Sequence, residues 1–209
     1  MDQDRPLQEE FGNLPLDPRL SWTNPPPCDL VPGGLHVKPA GETDYWQRTH
    51  YGFQHDNGHF LAVPECVGDF VLSTSVSFCP HALYDQAGLM VRISPECWIK
   101  TCVENVPPGP SKLGAVVTNS GYSDWSTTDV PADTTELELR IRREGTDYVV
   151  EAWLPGWQDW MMIRMAHLLE DREGGPIAAG LFACCPTKAG FSATFRHLTI
   201  APGRLDKAH

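Results

Sequence analysis

Apolar and polar residues alternate with a period of two along much of this chain. In residues 70–78 the even positions carry Phe, Leu, Thr, Val and Phe, whereas serine occupies three of the four positions between them. Such alternation predicts a half-buried antiparallel strand. Similar or continuously apolar patterns predict further strands at 35–38, 60–63, 86–93, 98–104, 113–118, 136–142, 148–154, 160–165, 177–184 and 191–200.

Turn residues separate these segments. Residues 144–147 predict a turn that joins two strands into a meander, and Asn57-Gly58 predicts a tight hairpin turn with positive φ angles. The polar run 119–126 is typical of a loop. A short segment, 164–169, is the one weak helix candidate.

About a dozen short strands with glycine and proline turns predict an all-β fold, in which two antiparallel sheets pack as a sandwich or jelly roll. We expect one such domain over residues 20–202, because a chain of 209 residues is long enough for a single sizeable core. The polar, proline-containing residues 1–19 predict an N-terminal arm that lies over the domain or is partly disordered. We expect residues 203–209 to be a C-terminal tail.

The composition excludes several classes of partner. The net charge is −11 and no cluster of lysine and arginine occurs, so nucleic acid is not expected. No apolar run has the length of a membrane span, and the acidic N-terminus has no apolar segment behind it. Seven cysteines without a C-x-x-C pair favour reduced thiols over disulfides or structural zinc. These features predict a cytoplasmic protein with no membrane partner.

The stretch 44–59 differs from the rest of the chain because it combines three histidines, two aspartates, an arginine and several aromatic rings. Each of these polar groups would need a hydrogen-bond partner if it were buried, so the stretch is unsuited to a hydrophobic core. We interpret it as the wall of a binding or active site. His50, His55 and His59 with Asp56 are a candidate metal set, but their spacing does not make the rings converge. We therefore expect neither a metal nor another cofactor.

A second group of candidate site residues lies on one sheet face if strands 86–93 and 98–104 are neighbours. They then present one set of side chains on the face away from the core: Gln86, Met90, Arg92, Trp98, Lys100 and Glu104. The simplest interpretation is a solvated face with a modest ion pair. Met90 and Trp98 argue instead for a covered face, with the stretch 44–59 and the 122–126 loop as covers.

Several reactions remain open for this face. Acid–base chemistry would use His50, Lys100, Glu104 and Asp124. A serine nucleophile at Ser123 or Ser126 is rejected because no G-x-S-x-G motif occurs. A glycosidase would need two carboxylates across a cleft, and the candidates lie on different elements. The candidate ligand-binding residues are Arg48, Tyr51, His59, Tyr84, Gln86, Met90, Arg92, Trp98, Ser123 and Trp125.

The chain resembles a known family in a series of motifs in consistent order between residues 20 and 200. They are Trp22-Thr23-Asn24, Thr43-Asp44-Tyr45-Trp46, Thr49-His50-Tyr51-Gly52-Phe53, Asp56-Asn57-Gly58-His59, Tyr84-Asp85-Gln86-Ala87-Gly88-Leu89-Met90, Trp98-Ile99-Lys100-Thr101, Ser123-Asp124-Trp125-Ser126 and Gly190-Phe191. They are similar to a family of concanavalin-A-like sandwiches of unknown function that includes the yeast "regulation of enolase" protein. The chain departs from the usual pattern at Cys102, where a glycine is usual.

The resemblance implies a two-sheet antiparallel β-sandwich of the lectin and glucanase type, and a cytosolic role linked to carbohydrate metabolism and enolase. The hydrolase motif E-x-D-x-x-E of the wider superfamily is absent. Our leading hypothesis is a binding protein whose concave sheet face holds a sugar or phosphosugar, with Lys100 and Arg92 meeting an anionic group. The alternatives are a cofactor-independent enzyme, namely an isomerase, lyase, cyclase or hydrolase using the same pocket, and an interaction protein that contacts a metabolic enzyme.

Overall fold

The computed structural model describes residues 6–203, and eighteen β-strands account for all of their regular structure. The strands are β1 (Leu7–Glu9), β2 (Ser21–Thr23), β3 (Cys28–Val31), β4 (Gly34–Val37), β5 (Tyr45–Gln47), β6 (Gln54–Asp56), β7 (His59–Cys66), β8 (Phe70–Cys79), β9 (Gln86–Ser94), β10 (Cys97–Glu104), β11 (Ser111–Asn119), β12 (Tyr122–Val130), β13 (Glu136–Glu144), β14 (Asp147–Trp153), β15 (Met161–His167), β16 (Ile177–Cys184), β17 (Ser192–Phe195) and β18 (Leu198–Pro202). Among residues 6–203, no helix has the length and apolarity needed to span a bilayer.

Two large antiparallel sheets form a sandwich. The seven-stranded sheet has the order β12-β11-β10-β9-β16-β7-β2. The nine-stranded sheet has the order β15-β14-β13-β8-β17-β4-β3, and β18 joins it by pairing with β8 and with β1. The predicted all-β sandwich is therefore confirmed.

The main core lies between the sheets and is built from the inward positions of the alternating strands. Leu72 and Val76 of β8, Leu89 of β9 and Leu139 of β13 are completely or almost completely buried there. Because side chains alternate between the two faces of a strand, the residues between them are left for the outer faces. The predicted meander is also present, as β13 and β14 joined by a turn with Gly145 at φ 64°.

The N-terminal residues contribute to this core. Leu7 pairs with Ile200 across β1 and β18, and both Leu7 and Phe11 are buried. The first five residues of the predicted arm, and all of the predicted tail except Gly203, lie outside the described residues.

Four local predictions are wrong, and three of them concern the type or the bounds of a strand. Residues 122–130 form strand β12 instead of continuing a loop, since an edge strand can carry polar side chains while its backbone pairs with β11 along its whole length. The weak helix candidate at 164–169 overlaps strand β15, which pairs with β14. The predicted final strand 191–200 is interrupted, so that β17 and β18 pair with β8 separately.

The Asn57-Gly58 prediction fails for a different reason. These residues link β6 to β7, which belong to different sheets, and neither has a positive φ. A Cβ atom at Gly58 would lie 2.3 Å from the Tyr45 ring and 2.6 Å from Cys184 Sγ. The glycine is needed here for close packing and not for a turn.

Candidate functional site

The center of the candidate site is Lys100, which is almost completely buried on the face of the seven-stranded sheet that points away from the core. Its Nζ donates to Asp44 Oδ1 at 2.9 Å and to Gln86 Oε1 at 2.8 Å. The neighboring strands β9 and β10 are paired as expected, with Lys100 opposite Met90 and Glu104 opposite Gln86. We call this the hairpin face, because β5 and β6 form a separate two-stranded hairpin that lies against it.

The charge on Lys100 is balanced from the hairpin side. Burial by itself lowers the pKa of this ammonium, but the nearby Asp44 carboxylate raises it, and the net result is a pKa above the ordinary value. Lys100 is thus a permanently charged group with its counter-ion in place. Its ammonium also lies 5.6 Å from the center of the Phe182 ring and 5.9 Å from that of Trp98.

Glu104 is the second unusual group on the hairpin face. Burial raises the pKa of its carboxyl to about 7, because the opposing attraction of Lys100 only partly offsets the loss of hydration. The Cys102 thiol lies 3.9 Å from Glu104 Oε1 and 3.8 Å from Gln86 Oε1. A carboxyl with a pKa near neutrality can both donate and accept a proton at physiological pH, which suits acid–base chemistry or a hydrogen bond to a hydroxyl.

The hairpin covers the apolar half of this face. Tyr45 packs edge-on against Trp98 at 6.3 Å between ring centers, and its hydroxyl donates to Gly58 O at 2.8 Å. Trp98 and Met90 are fully buried. The expectation that the stretch 44–59 covers these two side chains is therefore confirmed.

Polar contacts attach the hairpin to the sheet. Arg92 donates to both carboxylate oxygens of Asp56, at 2.5 and 2.7 Å, and lies over the Tyr45 ring. The Ser123 hydroxyl accepts a hydrogen bond from Gln47 N at 2.9 Å. Nearer the hairpin tip, Arg48 forms an ion pair with Glu96.

Two half-exposed aromatic rings border the polar half of the hairpin face. Tyr84 precedes β9, and Trp125 in β12 lies opposite Val116, which is in turn opposite Lys100. Their ring centers are 6.5 Å apart in an edge-on arrangement, and about two-fifths of each residue is exposed. Gln86 connects this rim to the interior, because its Nε2 donates to Tyr84 O at 3.1 Å.

Other predicted site residues lie elsewhere. The rings of His50 and Tyr51 lie against each other at the exposed tip of the hairpin, with their centers 3.6 Å apart and their planes tilted by 46°. Asp124 lies opposite Val117 and so points to the other side of β12, where it forms an ion pair with Arg164 at 3.1 Å. The structure thus brings Gln86, Lys100 and Glu104 together and leaves His50 and Asp124 apart from them.

The three histidines of the stretch 44–59 also remain separate. His59 is buried, where its Nε2 accepts from Ala40 N and its Nδ1 donates to Asn24 O. His55 stacks on Phe53. Within residues 6–203, no three His, Cys, Asp or Glu side chains are grouped in a way that could hold a metal ion.

The candidate residues named from the sequence do not include the counter-ion of Lys100. Asp44 belongs to the polar stretch 44–59 and directly precedes β5. The one sequence signal for Asp44 was its membership in the same motif as Tyr45 and Trp46. Its contact with Lys100 spans 56 positions, a separation that strand periodicity does not report.

Comparison with known proteins places these features in context. A family model described as "Protein of unknown function (DUF1349)" matches residues 22–203. "Regulation of enolase protein 1" of Saccharomyces cerevisiae is 32% identical over 181 residues, covering 86% of this chain and 88% of the yeast protein. The crystal structure of a functionally unknown protein from S. cerevisiae superposes with a TM-score of 0.80 at 30% identity, covering 90% of this chain and 98% of that chain.

More distant solved structures share the fold. A protein described as Bacteroides ovatus xyloglucan PUL GH43B matches with a TM-score of 0.73 at 18% identity, covering 95% of this chain but 40% of its own. The carbohydrate-binding module CBM66 from Bacillus subtilis matches with a TM-score of 0.57 at 14% identity, covering 86% of this chain and 94% of the module. At these identities the likeness concerns the β-sandwich alone.

Proposed function

Because the chain belongs to the DUF1349 family of proteins of unknown function, we propose a function from its own geometry: it binds a small neutral saccharide at the polar half of the hairpin face. The observation that carries the proposal is the pair of half-exposed rings, Tyr84 and Trp125, next to the buried amide of Gln86 and carboxyl of Glu104. Aromatic rings pack on the apolar faces of sugar rings, while amide and carboxyl groups bind hydroxyls.

The charge arrangement favors a neutral sugar over a phosphosugar. The two cations expected to meet an anionic group are already paired, Lys100 with Asp44 and Arg92 with Asp56. An incoming phosphate would have to displace a carboxylate from a buried or half-buried ion pair. A neutral sugar needs only the groups on the rim.

Titration with a panel of neutral mono- and disaccharides, followed by calorimetry and thermal shift, tests this proposal. A member that binds raises the melting temperature, and its stabilisation grows with the logarithm of one plus the ratio of its concentration to Kd. Trp125→Ala and Tyr84→Ala should remove binding while the protein stays folded, because both residues are half-exposed. Leu14→Ala, at a residue 75% exposed and far along the chain from the rim, is the matched control.

The proposal fails if no saccharide stabilises the wild type, or if the two rim variants bind as the wild type does. A sugar phosphate that binds more tightly than its neutral sugar would contradict the charge argument in particular.

The pKa of Glu104 supports a second candidate function, a cofactor-independent acid–base enzyme acting on the same ligand. Glu104 would transfer the proton, since His50 and Asp124 lie apart from it. NMR of bound sugars in D₂O would detect such a reaction as isomerisation, cleavage or hydrogen exchange at carbon. Glu104→Gln should then abolish turnover and retain binding, whereas the absence of any turnover by the wild type favors the binding protein.

The name of the yeast relative, which refers to the regulation of enolase, motivates a third candidate function in the regulation of a metabolic enzyme. In this proposal the chain forms a complex with enolase, and the saccharide site modulates that complex. Size-exclusion chromatography of the mixed proteins, with and without Trp125→Ala, would separate a complex that depends on the saccharide site from one that does not.

A further inference from the structure

Cys102 lies between two glycines on the hairpin face. It is opposite Gly88 of β9 on one side and Gly114 of β11 on the other. A Cβ atom at Gly88 would lie 2.0 Å from Thr101 O. One at Gly114 would lie 2.2 Å from Ser126 O, so neither position can carry a side chain unless the backbone moves. Glycines inside strands often mark a place where another group approaches the backbone closely. We call Gly88, Cys102 and Gly114 the glycine floor.

Buried polar groups adjoin the glycine floor. Lys100 and Glu104 lie two residues to either side of Cys102, on the same face of β10. The Lys100 ammonium already donates to Asp44 and Gln86. Among the described residues, the donor to the Glu104 side chain is the Cys102 thiol at 3.9 Å, and a thiol is a weak donor. Glu104 therefore retains hydrogen-bonding capacity for a ligand.

The rings of Tyr84 and Trp125 reach across the sheet toward each other. Trp125 belongs to β12 and Tyr84 precedes β9, and these two strands are three strand spacings apart, which is about 14 Å. The ring centers are nevertheless 6.5 Å apart. Both side chains must therefore lean over the two strands between them, β10 and β11.

The two rings meet above the glycine floor. Trp125 is in register with Lys100 across β11. Tyr84 lies beyond the other end of the floor, because its N donates at 2.7 Å to the carbonyl of the residue after Glu104. Between these two points on β10 lie Cys102 and Glu104, which are 3% and 7% exposed. Rings at this distance are in van der Waals contact, so they close the floor to a ligand.

Tyr84 combines a fixed backbone with a loosely held ring. Its carbonyl accepts from Gln86 Nε2, and its φ of 66° is uncommon for a bulky residue. Such conformations persist where the surrounding structure imposes them, and they cluster at functional sites. The ring itself is held by its edge-on contact with Trp125 and is partly exposed. Exposed side chains change rotamer rapidly, so the ring can swing while the backbone stays in place.

From these contacts we infer that Tyr84 and Trp125 form a gate over the glycine floor, and that a ligand reaches Cys102 and Glu104 only when the two rings part. The group admitted is uncharged and hydroxylated, because Lys100 already has its counter-ion whereas Glu104 can bind a hydroxyl. The identity of this ligand rests on the proposed saccharide function. The closed gate is a property of the free protein and is tested without a saccharide.

Alkylation by iodoacetamide under native conditions, with mass spectrometry of each cysteine, tests the gate in the full chain. Cys102 should react slowly in the wild type and at least about tenfold faster in Trp125→Ala and in Tyr84→Ala, because the reagent then reaches the floor. Cys184 is an internal control, since it is buried on the same face but beneath the hairpin, next to Gly58. Its rate should not change.

Two further controls separate opening of the gate from loosening of the whole fold. Cys97 lies in the main core, so its rate reports global unfolding. Leu14→Ala, at an exposed residue outside the site, should leave every rate unchanged. An unchanged Cys102 rate in either ring variant would overturn the gate, and so would equal acceleration of Cys184 and Cys97. If no saccharide binds, the proposed function fails while the alkylation rates still decide whether the gate exists.

Discussion

The Glu104 carboxyl is held in an environment that opposes its ionisation. Its pKa of about 7 in the folded protein exceeds the ordinary value of 4.5, with burial as the principal cause. The folded state therefore binds this proton more tightly than the unfolded chain does. Its contribution to stability is complete below pH 4.5 and declines as the pH rises toward 7.

Glu104→Gln should consequently stabilise the protein at pH 8 and have little effect at pH 4. The shift corresponds to at most about 3 kcal/mol at pH 8. Urea unfolding of both proteins across this pH range measures the difference. If the increase in unfolding free energy were the same at every pH, the cause would be better packing by Gln and not the titration of Glu104.

The ion pair between Lys100 and Asp44 is the other residue-scale feature that determines stability. Asp44→Asn would leave a buried ammonium without its counter-charge, which should destabilise the fold by roughly 3 kcal/mol. Denaturant unfolding provides the measurement. The control is Asp129→Asn, which removes the partner of Lys112 from an exposed pair and should cost less than about 1 kcal/mol. Equal losses of unfolding free energy in the two variants would show that burial of the Lys100–Asp44 ion pair does not increase the cost of breaking it.

At the scale of elements, the attachment of the hairpin depends on close approach. Gly58→Ala would place a Cβ against the Tyr45 ring and the Cys184 thiol, so one of them must move. We expect a loss of about 2 kcal/mol in unfolding free energy. Greater amide exchange in β5 and β6 should accompany it.

Gly12→Ala is the corresponding control, because a Cβ atom there meets no atom within 4 Å and the residue has no positive φ. It should leave both stability and exchange unchanged. A Gly58→Ala protein that behaves in the same way would show that the hairpin base can relax freely.

Strand β12 shows why the prediction of a loop at residues 119–126 is wrong. Its polar side chains look like those of a loop, yet Ser123 anchors the hairpin, Trp125 borders the site and Asp124 pairs with the opposite sheet. Polarity along a sequence reports exposure or polar contacts. It does not report whether the backbone pairs with a neighbor.

At the scale of the whole molecule, the N-terminal segment is integrated with the sandwich. Phe11 is 1% exposed within the main core, whereas Leu14, three residues later, is 75% exposed. Phe11→Ala should lower the unfolding free energy by about 3–5 kcal/mol, and Leu14→Ala should have almost no effect. Thermal and urea unfolding of the two variants test whether residues before 20 form part of the cooperative unit. Similar, small losses would indicate a separable arm.

The sequence alone determined the fold class, most of the central strands and the face on which Gln86, Lys100 and Glu104 lie. These properties follow from local periodicity, since a period of two assigns each residue to one side of its strand. The motifs also determined the family. The periodicity also predicts that the stretch 44–59 covers Met90 and Trp98, because large apolar side chains on an outer face require a cover.

Only the tertiary structure decided which polar groups meet. Asp44 reaches Lys100 from 56 positions away, Asp124 points away from the site because of its register in β12, and His50 lies at the exposed hairpin tip. The register between paired strands and the path of the hairpin are set by packing between distant segments of the chain. The periodicity within one strand therefore does not predict them.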